Sequence, residues 1–361
     1  MQCCVALQWA AMTSRSPLDA TRLRQLAVDK GKLADVVVTS ATGSTNTDLA
    51  AALAGGASTW TAHVTDHQTA GKGRHGRPWV APRYSQATLS LALRPPQSAL
   101  HRLGLLPLAA GLAVIDAVRD MVAATTVLDP GGQSPTSGHW AIPTAHDKAE
   151  TSAASSQAAG STQSPRLPGD DLPTTGPANG IYAPDTTAPD AAQYGPLGNL
   201  IPVLKWPNDA LIGGRKVCGI LAEAVSLGQH PAIVVGLGLN VSLTANELPV
   251  AHATSLDIAA AELGYELHVD RTMLVAGILQ HLVARCEQFQ YANPTLLGDY
   301  RRACGTIGTR VRVHLPGERI LEGMATGVND TGELIVVDDH GAATAVAAGD
   351  VSHLRRAKHP K

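Results

Sequence analysis

The segment Gly71-Lys72-Gly73-Arg74-His75-Gly76-Arg77-Pro78-Trp79 sets three fixed cations among three glycines. Glycine lets a backbone approach a ligand closely, and the cations require that ligand to be an anion. No Asp or Glu occurs from His67 to Ile115, whereas Lys72, Arg74, Arg77, Arg83, Arg94 and Arg102 all fall in that window. An ordinary solvated face mixes both signs. Gly71, Gly73 and Gly76 also fit the dinucleotide fingerprint G-x-G-x-x-G. That fingerprint needs a helix opening at its last glycine and an acid about 20 residues on. Pro78 and Pro82 stand against the helix, and the first acid after Asp66 is Asp116. The segment reads as an anion-binding loop instead.

Two further patches carry chemistry. Ser44-Thr45-Asn46 offers hydroxyls and an amide at a strand-to-helix turn, where such residues also serve simply as N-caps. Lys205-Trp206-Pro207-Asn208-Asp209 is followed by Arg215-Lys216 across Gly213-Gly214, a two-residue hairpin signal. Either lysine could be a solvated strand end. A hairpin would instead hold Lys216 rigidly, which suits a cation that stabilises developing negative charge. Together the patches describe a site for a polar small molecule with phosphate neutralisation. A nucleic-acid loop would use the same cations. His63, His67 and His75 have no acid or Cys partner in the sequence and read as incidental to any metal.

The elements that must position these residues follow from periodicity and breakers. Asp35–Thr39 is a β-branched run, and Leu49–Ala54 a helix closed by Gly55-Gly56. Thr59–Gln68 reads as the strand that delivers the cationic loop. Ala87–Leu93 alternates and reads as the next strand; Leu105–Val122 has helical spacing. From Asp129 to Asn199 there are ten prolines and no Val. That composition buries too little apolar surface to offset its ordering entropy, so a disordered insertion is expected. Strands are expected at Ile201–Trp206, Ala210–Ile212, Arg215–Val225 and Ala232–Leu243. Helices are expected at Asp270–Tyr291 and Leu296–Arg302. From Ile307 the apolar period falls to two, with tight turns, as in a small β-barrel.

Net charge is -2 and the pI about 6.7, which gives no global attraction to nucleic acid or anionic membrane. Cys3, Cys4, Cys218, Cys286 and Cys304 show no C-x-x-C spacing, as in a reduced cytoplasmic chain. Aromatics are 3% of residues, too few for base-stacking platforms. No apolar run reaches a membrane span. Residues 1–12 lack the pattern of a signal peptide, and Met12 is an alternative start.

With these residues in view, the chain resembles the biotin protein ligase family from Val36 to Leu354, apart from 129–199. The resemblance rests on Ser44-Thr45-Asn46, on Gln68 before the 71–79 loop, and on Lys205-Trp206-Pro207-Asn208-Asp209. It rests too on Arg215-Lys216-Val217-Cys218-Gly219-Ile220-Leu221-Ala222-Glu223 and on Gly236-Leu237-Gly238-Leu239-Asn240-Val241. Lys72 stands where Arg is commoner, which keeps the charge but not the bidentate fork. The resemblance implies an α+β fold, a mixed sheet packed with helices of the class II synthetase-like biotin/lipoate ligase type, plus a C-terminal SH3-like β-barrel. It implies an N-terminal extension over 1–35, a catalytic domain over 36–303 and the barrel over 304–356. The implied reaction makes biotinyl-5′-AMP from ATP and biotin, then passes biotin to a lysine of a biotin carboxyl carrier domain. Lys216 and Arg74 would be catalytic. Ser44, Thr45, Asn46, Gln68, Gly71, Lys72, Gly73, Arg77, Trp79 and Gly219 would bind biotin and its adenylate with them. Asn208, Asp209, Gly236 and Asn240 would face the nucleotide, with Asp209 a Mg²⁺ ligand. The stretch before Asp35 is too short for a three-helix DNA-binding module, so no DNA partner is expected. Neither is a membrane partner, and the chain would be a monomer or homodimer. The alternatives are a lipoate or octanoate ligase of the same fold and a non-catalytic biotin-binding regulator.

Overall fold

A computed structural model describes residues 15–128 and 191–354, apart from Pro316, Glu318 and Ala348. Residues 1–14, with Met12, and the 129–190 part of the expected insertion lie outside the described residues. In chain order come helix α1 (Ala20–Arg24), strand β1 (Asp35–Thr39), α2 (Thr45–Ala54), β2 (Thr61–Thr65), β3 (Gln86–Leu93) and α3 (Leu105–Leu128). After the gap follow β4 (Val203–Lys205), β5 (Asp209–Ile212), β6 (Arg215–Ser226), β7 (Ala232–Asn240), α4 (Leu256–Glu262), α5 (Arg271–Gln290) and α6 (Thr295–Ala303).

Seven strands form one mixed sheet in the order β1-β2-β3-β7-β6-β5-β4, with β1 and β2 parallel. The period-two pattern of β3 assigns its two faces. Ala87, Leu89, Leu91 and Leu93 join Val235, Leu237 and Leu239 of β7 in the main core with α3 and α5. Gln86, Thr88 and Ser90 point the other way, opposite Asn240, Gly238 and Gly236. On that second face α2 seats Leu49 and Leu53 against Ala92, Ala232 and Val234. The sheet thus has one greasy face and one face on which a short helix leaves room for polar groups.

Residues 191–199, expected within the insertion, are instead part of a 3₁₀ segment, Ala191–Leu200, that packs on α3. Leu197 and Leu200 are buried there. Average composition concealed the apolar anchor Leu197 at the end of a polar stretch. Helix α4, absent from the sequence expectation, is capped by Ser255, whose hydroxyl accepts from the Ile258 N–H. No helix among the described residues is long and apolar enough to cross a membrane.

The second sheet holds β8 (Arg310–His314), β9 (Ile320–Val328), β10 (Leu334–Val337), β11 (Ala343–Val346) and β12 (Asp350–His353) in the order β11-β10-β9-β8-β12, all antiparallel. It forms the small SH3-like barrel. Trp206 joins it to the first sheet: its indole N–H donates to Gly332 O at 2.9 Å and its backbone N–H to Thr306 Oγ1 at 3.1 Å. His353 meets the same Thr306 hydroxyl at 3.1 Å. Burial, reinforced by the nearby Lys205 charge, pushes the His353 pKa down from 6.5 to about 4. A depressed folded value means that the unfolded chain binds the extra proton, so stability present above pH 6.5 is lost as pH falls toward 4. The melting temperature of His353→Asn should therefore fall less than that of the parent between pH 6.5 and 4, followed by circular dichroism. Equal slopes would refute the assignment.

Candidate active site

The cationic loop does not form a helix. Gly73 N–H donates to Arg77 O at 2.7 Å and Trp79 N–H to Gly71 O at 2.8 Å, closing residues 71–79 on themselves. His75 and Gly76 take positive φ at the tip, with only a 3₁₀ turn between Arg74 and Gly76. The loop lies over a cavity of about 630 Å³ on the polar face of the first sheet. Opposite it, Gly213 and Gly214 take φ of 55° and 75°, which closes the tight β5–β6 hairpin and places Lys216 on its second strand. The Lys216 backbone is pinned by the loop after β7, donating to His252 O at 2.8 Å and accepting from Thr254 N–H at 2.9 Å.

Glycines on adjacent strands make the floor. Gly219 pairs with Gly238 across β6 and β7. A Cβ on Gly238 would come within 2.4 Å of Trp79 Nε1, and one on Gly219 within 3.0 Å of the same indole ring. Trp79 therefore lies flat against bare backbone, a close approach that explains glycine in a strand. Lys216 Nζ sits 5.4 Å from the Trp79 ring centroid and 2.5 Å from Asp209 Oδ1. Arg74 reaches Asn208 Oδ1 at 3.3 Å and Gly349 O at 3.4 Å; Arg77 pairs with Asp350. One end of the cavity is thus cationic, with its counter-charges on the hairpin and the barrel.

The other end is neutral. Ser44 is the N-cap of α2 and accepts from the Thr47 N–H at 3.5 Å, so the cap reading and the site reading both hold for this turn. Gln68 Oε1 accepts from Thr45 N–H at 2.8 Å, which turns the Gln68 amide nitrogen away from Thr45. Asn46 rests on Gly236, where a Cβ would fall 2.0 Å from its Oδ1.

Of the residues expected at the site, Ser44, Thr45, Asn46, Gln68, Lys72, Gly73, Arg74, Arg77, Trp79, Asn208, Asp209, Lys216, Gly219 and Gly236 all line this one cavity. Two do not. Gly71 sits behind the loop, where a Cβ would strike Trp79 O at 2.5 Å and Gln68 Nε2 at 2.6 Å. Asn240 is buried in the sheet, donating to Thr254 O and accepting from the Gln86 amide, so it braces strands instead of facing a nucleotide. Sequence reasoning noted Lys205 in its motif but gave it no site role, and it missed Pro249, Val250 and His252 and Gly349–Ser352 of the barrel; all of these line the cavity. His63 is likewise off the cavity, bonded to Thr39 Oγ1 at 3.0 Å. Burial lowers its pKa, against the opposing pull of Asp48. Cys218 offers no thiolate, since burial pushes its pKa up to about 12. Among the described residues no three His, Cys, Asp or Glu side chains gather to hold a metal.

Comparison with known proteins fits this geometry. Residues 306–354 match the family described as biotin protein ligase C terminal domain. The chain is 34% identical over 345 residues to the biotin–(acetyl-CoA-carboxylase) ligase of Mycobacterium tuberculosis, covering 94% of this chain and 97% of that one. The chain belongs to the biotin protein ligase family. A bifunctional ligase/repressor of Bacillus subtilis matches a shorter stretch, 33% over 149 residues, covering 38% of this family member and 42% of the relative. The solved structure of biotin protein ligase from Aquifex aeolicus in complex with biotin and ATP has the same fold at 20% identity. Its TM-score is 0.56, and the match covers 90% of this chain and 100% of that one.

Proposed function

We propose that this chain is an ATP-dependent biotin protein ligase. In the first step a carboxylate oxygen of biotin attacks the α-phosphorus of ATP. The new P–O bond makes biotinyl-5′-AMP, and the bond to the β-phosphate breaks to release pyrophosphate. In the second a lysine amine of a biotin carboxyl carrier domain attacks the acyl carbon, loses a proton and expels AMP. The observation that carries this reading is the two-ended cavity, neutral at Ser44, Thr45 and Gln68 and cationic at Lys216, Arg74, Arg77 and Lys72. Biotin's cyclic urea needs paired donors and acceptors, while its carboxylate must approach a second anion. Lys216 offsets that repulsion and stabilises the charge that develops, and the loop arginines hold the anionic adenylate once it has formed. The 71–79 loop then covers the mixed anhydride against water.

Magnesium belongs to this proposal. Mg²⁺ on ATP typically takes only one or two protein carboxylates, and Asp209 is the carboxylate beside Lys216. Its 2.5 Å ion pair makes it that lysine's partner first, so it would hold the metal by sharing this carboxylate. When bound, the ion neutralises phosphate charge.

Gly238→Ala should displace Trp79 while the sheet still forms. The stabilisation by biotin plus ATP in a thermal-shift assay should shrink or vanish, with the ligand-free melting temperature within a few degrees of the parent. A full ligand-induced shift would argue against the Trp79 floor. The function itself is tested by incubating the protein with ATP, Mg²⁺, biotin and a carrier domain, then probing for biotinylated lysine, with lipoate as competitor. Modification by lipoate in preference to biotin would replace the reading with a lipoate ligase. Absence of pyrophosphate release would leave a binding regulator.

A further inference from the structure

Behind the neutral end of the cavity runs a chain of polar side chains that begins at Glu223 and Ser90, which do not line it, and ends at Asn46 and Thr45, which do. Asn46 Nδ2 donates to Glu223 Oε2 at 2.6 Å and lies 3.3 Å from Leu221 O. A carboxylate and a carbonyl only accept, so the Asn46 amide must present its nitrogen to β6 and its oxygen to β3. Ser90 Oγ lies 2.5 Å from that oxygen and must therefore donate to it. Its single proton is then committed. The 2.7 Å contact between Ser90 Oγ and Thr45 Oγ1 is consequently a donation from Thr45. Thr45 and Ser90 are fully buried, at 2% and 0% exposure, so water does not compete.

We propose that Ser90 and Glu223 are positioning residues that act through Asn46 to hold the Thr45 hydroxyl as an acceptor toward the ligand. The proposal rests on the biotin reading and specifies how the urea is recognised. Gln68 Oε1, 3.1 Å from Thr45 Oγ1, is the other acceptor open to the single Thr45 proton; with that proton drawn to Ser90 Oγ at 2.7 Å, Thr45 Oγ1 and Gln68 Oε1 are left as two acceptors side by side. They complement a urea N–H. Neither Ser90 nor Glu223 lines the cavity, so any effect of changing them on the ligand must pass through the chain.

Steady-state pyrophosphate release tests this. Ser90→Ala frees the Thr45 proton to turn onto Gln68 Oε1, which removes an acceptor from the ligand, and the KM for biotin should rise about 10-fold, the loss of one buried hydrogen bond. The kcat and the KM for ATP should stay within about twofold. Glu223→Gln keeps an acceptor oxygen and should behave as the parent, whereas Glu223→Leu should raise the biotin KM about 3-fold or more. A biotin analogue with one urea N–H replaced by oxygen should be disfavoured about 10-fold by the parent and much less by Ser90→Ala. Should Ser90→Ala not fold, Glu223→Leu at the solvent edge carries the same test. An active parent with an unchanged biotin KM in the variants, or with parent-like discrimination against the analogue, overturns the positioning role alone. A parent that releases no pyrophosphate with biotin overturns the biotin reading and this proposal with it.

Discussion

Lys216→Ala is expected to lower the rate of pyrophosphate release by about 10²–10³-fold, the range found when one preorganised charge stabiliser is removed. The fold should tolerate the change, because Lys216 holds the 252–254 loop through backbone groups that alanine retains. What disappears is the ammonium 2.5 Å from Asp209. Two effects then act together. The developing charge on the α-phosphate loses its partner, and the Asp209 carboxylate is left uncompensated at the point where two anionic substrates must meet. Lys216→Arg restores charge but not the compact point geometry, and should recover part of the rate. Because the lysine acts where charge develops, kcat should fall far more than the biotin KM rises. Pyrophosphate release within tenfold of the parent would remove Lys216 from the chemistry.

Much of this candidate site is legible in the sequence. The glycine–cation loop, the absence of nearby acids and the Gly213-Gly214 hairpin each carry a local physical signature, and all reach the same cavity. Alternation in 87–93 marked β3 as a two-faced strand, whereas the register that sets Ser90 opposite Gly236 comes from its pairing with β7. Residues whose role depends on remote partners were not readable. Asn240 shares a strand face with Gly236 and Gly238, yet it lies past the floor glycines and is consumed by Gln86 and Thr254. Asp350 meets Arg77 from 273 positions away, through the docking of a second sheet. Periodicity cannot carry that kind of pairing, since it depends on how two independently patterned sheets meet at Trp206. Helix α4 is seven residues long, too short for its spacing to stand out.

Arg74→Gly should leave adenylate synthesis nearly intact and impair its retention. Arg74 sits at the loop tip, where its guanidinium spans Asn208 on the hairpin and Gly349 on the barrel at 3.3 and 3.4 Å. These contacts are long, so the guanidinium is weakly engaged and free to turn onto an anion beneath it. The backbone bonds that close residues 71–79 involve Gly71, Gly73, Arg77 and Trp79, and they survive the substitution. A hydrogen bond from a charged donor is worth about 1.5–3 kcal/mol, which corresponds to roughly 10–100-fold faster escape of biotinyl-5′-AMP. Escaped mixed anhydride acylates any exposed amine. The variant should therefore label lysines of bystander proteins while pyrophosphate release remains within a few-fold of the parent. Gel filtration after a single turnover measures the retained fraction directly. Parent-like retention with no bystander labelling would show that the closed loop, not the Arg74 charge, keeps the adenylate in place. Lys216 and Arg74 would then no longer divide the two halves of the reaction between them.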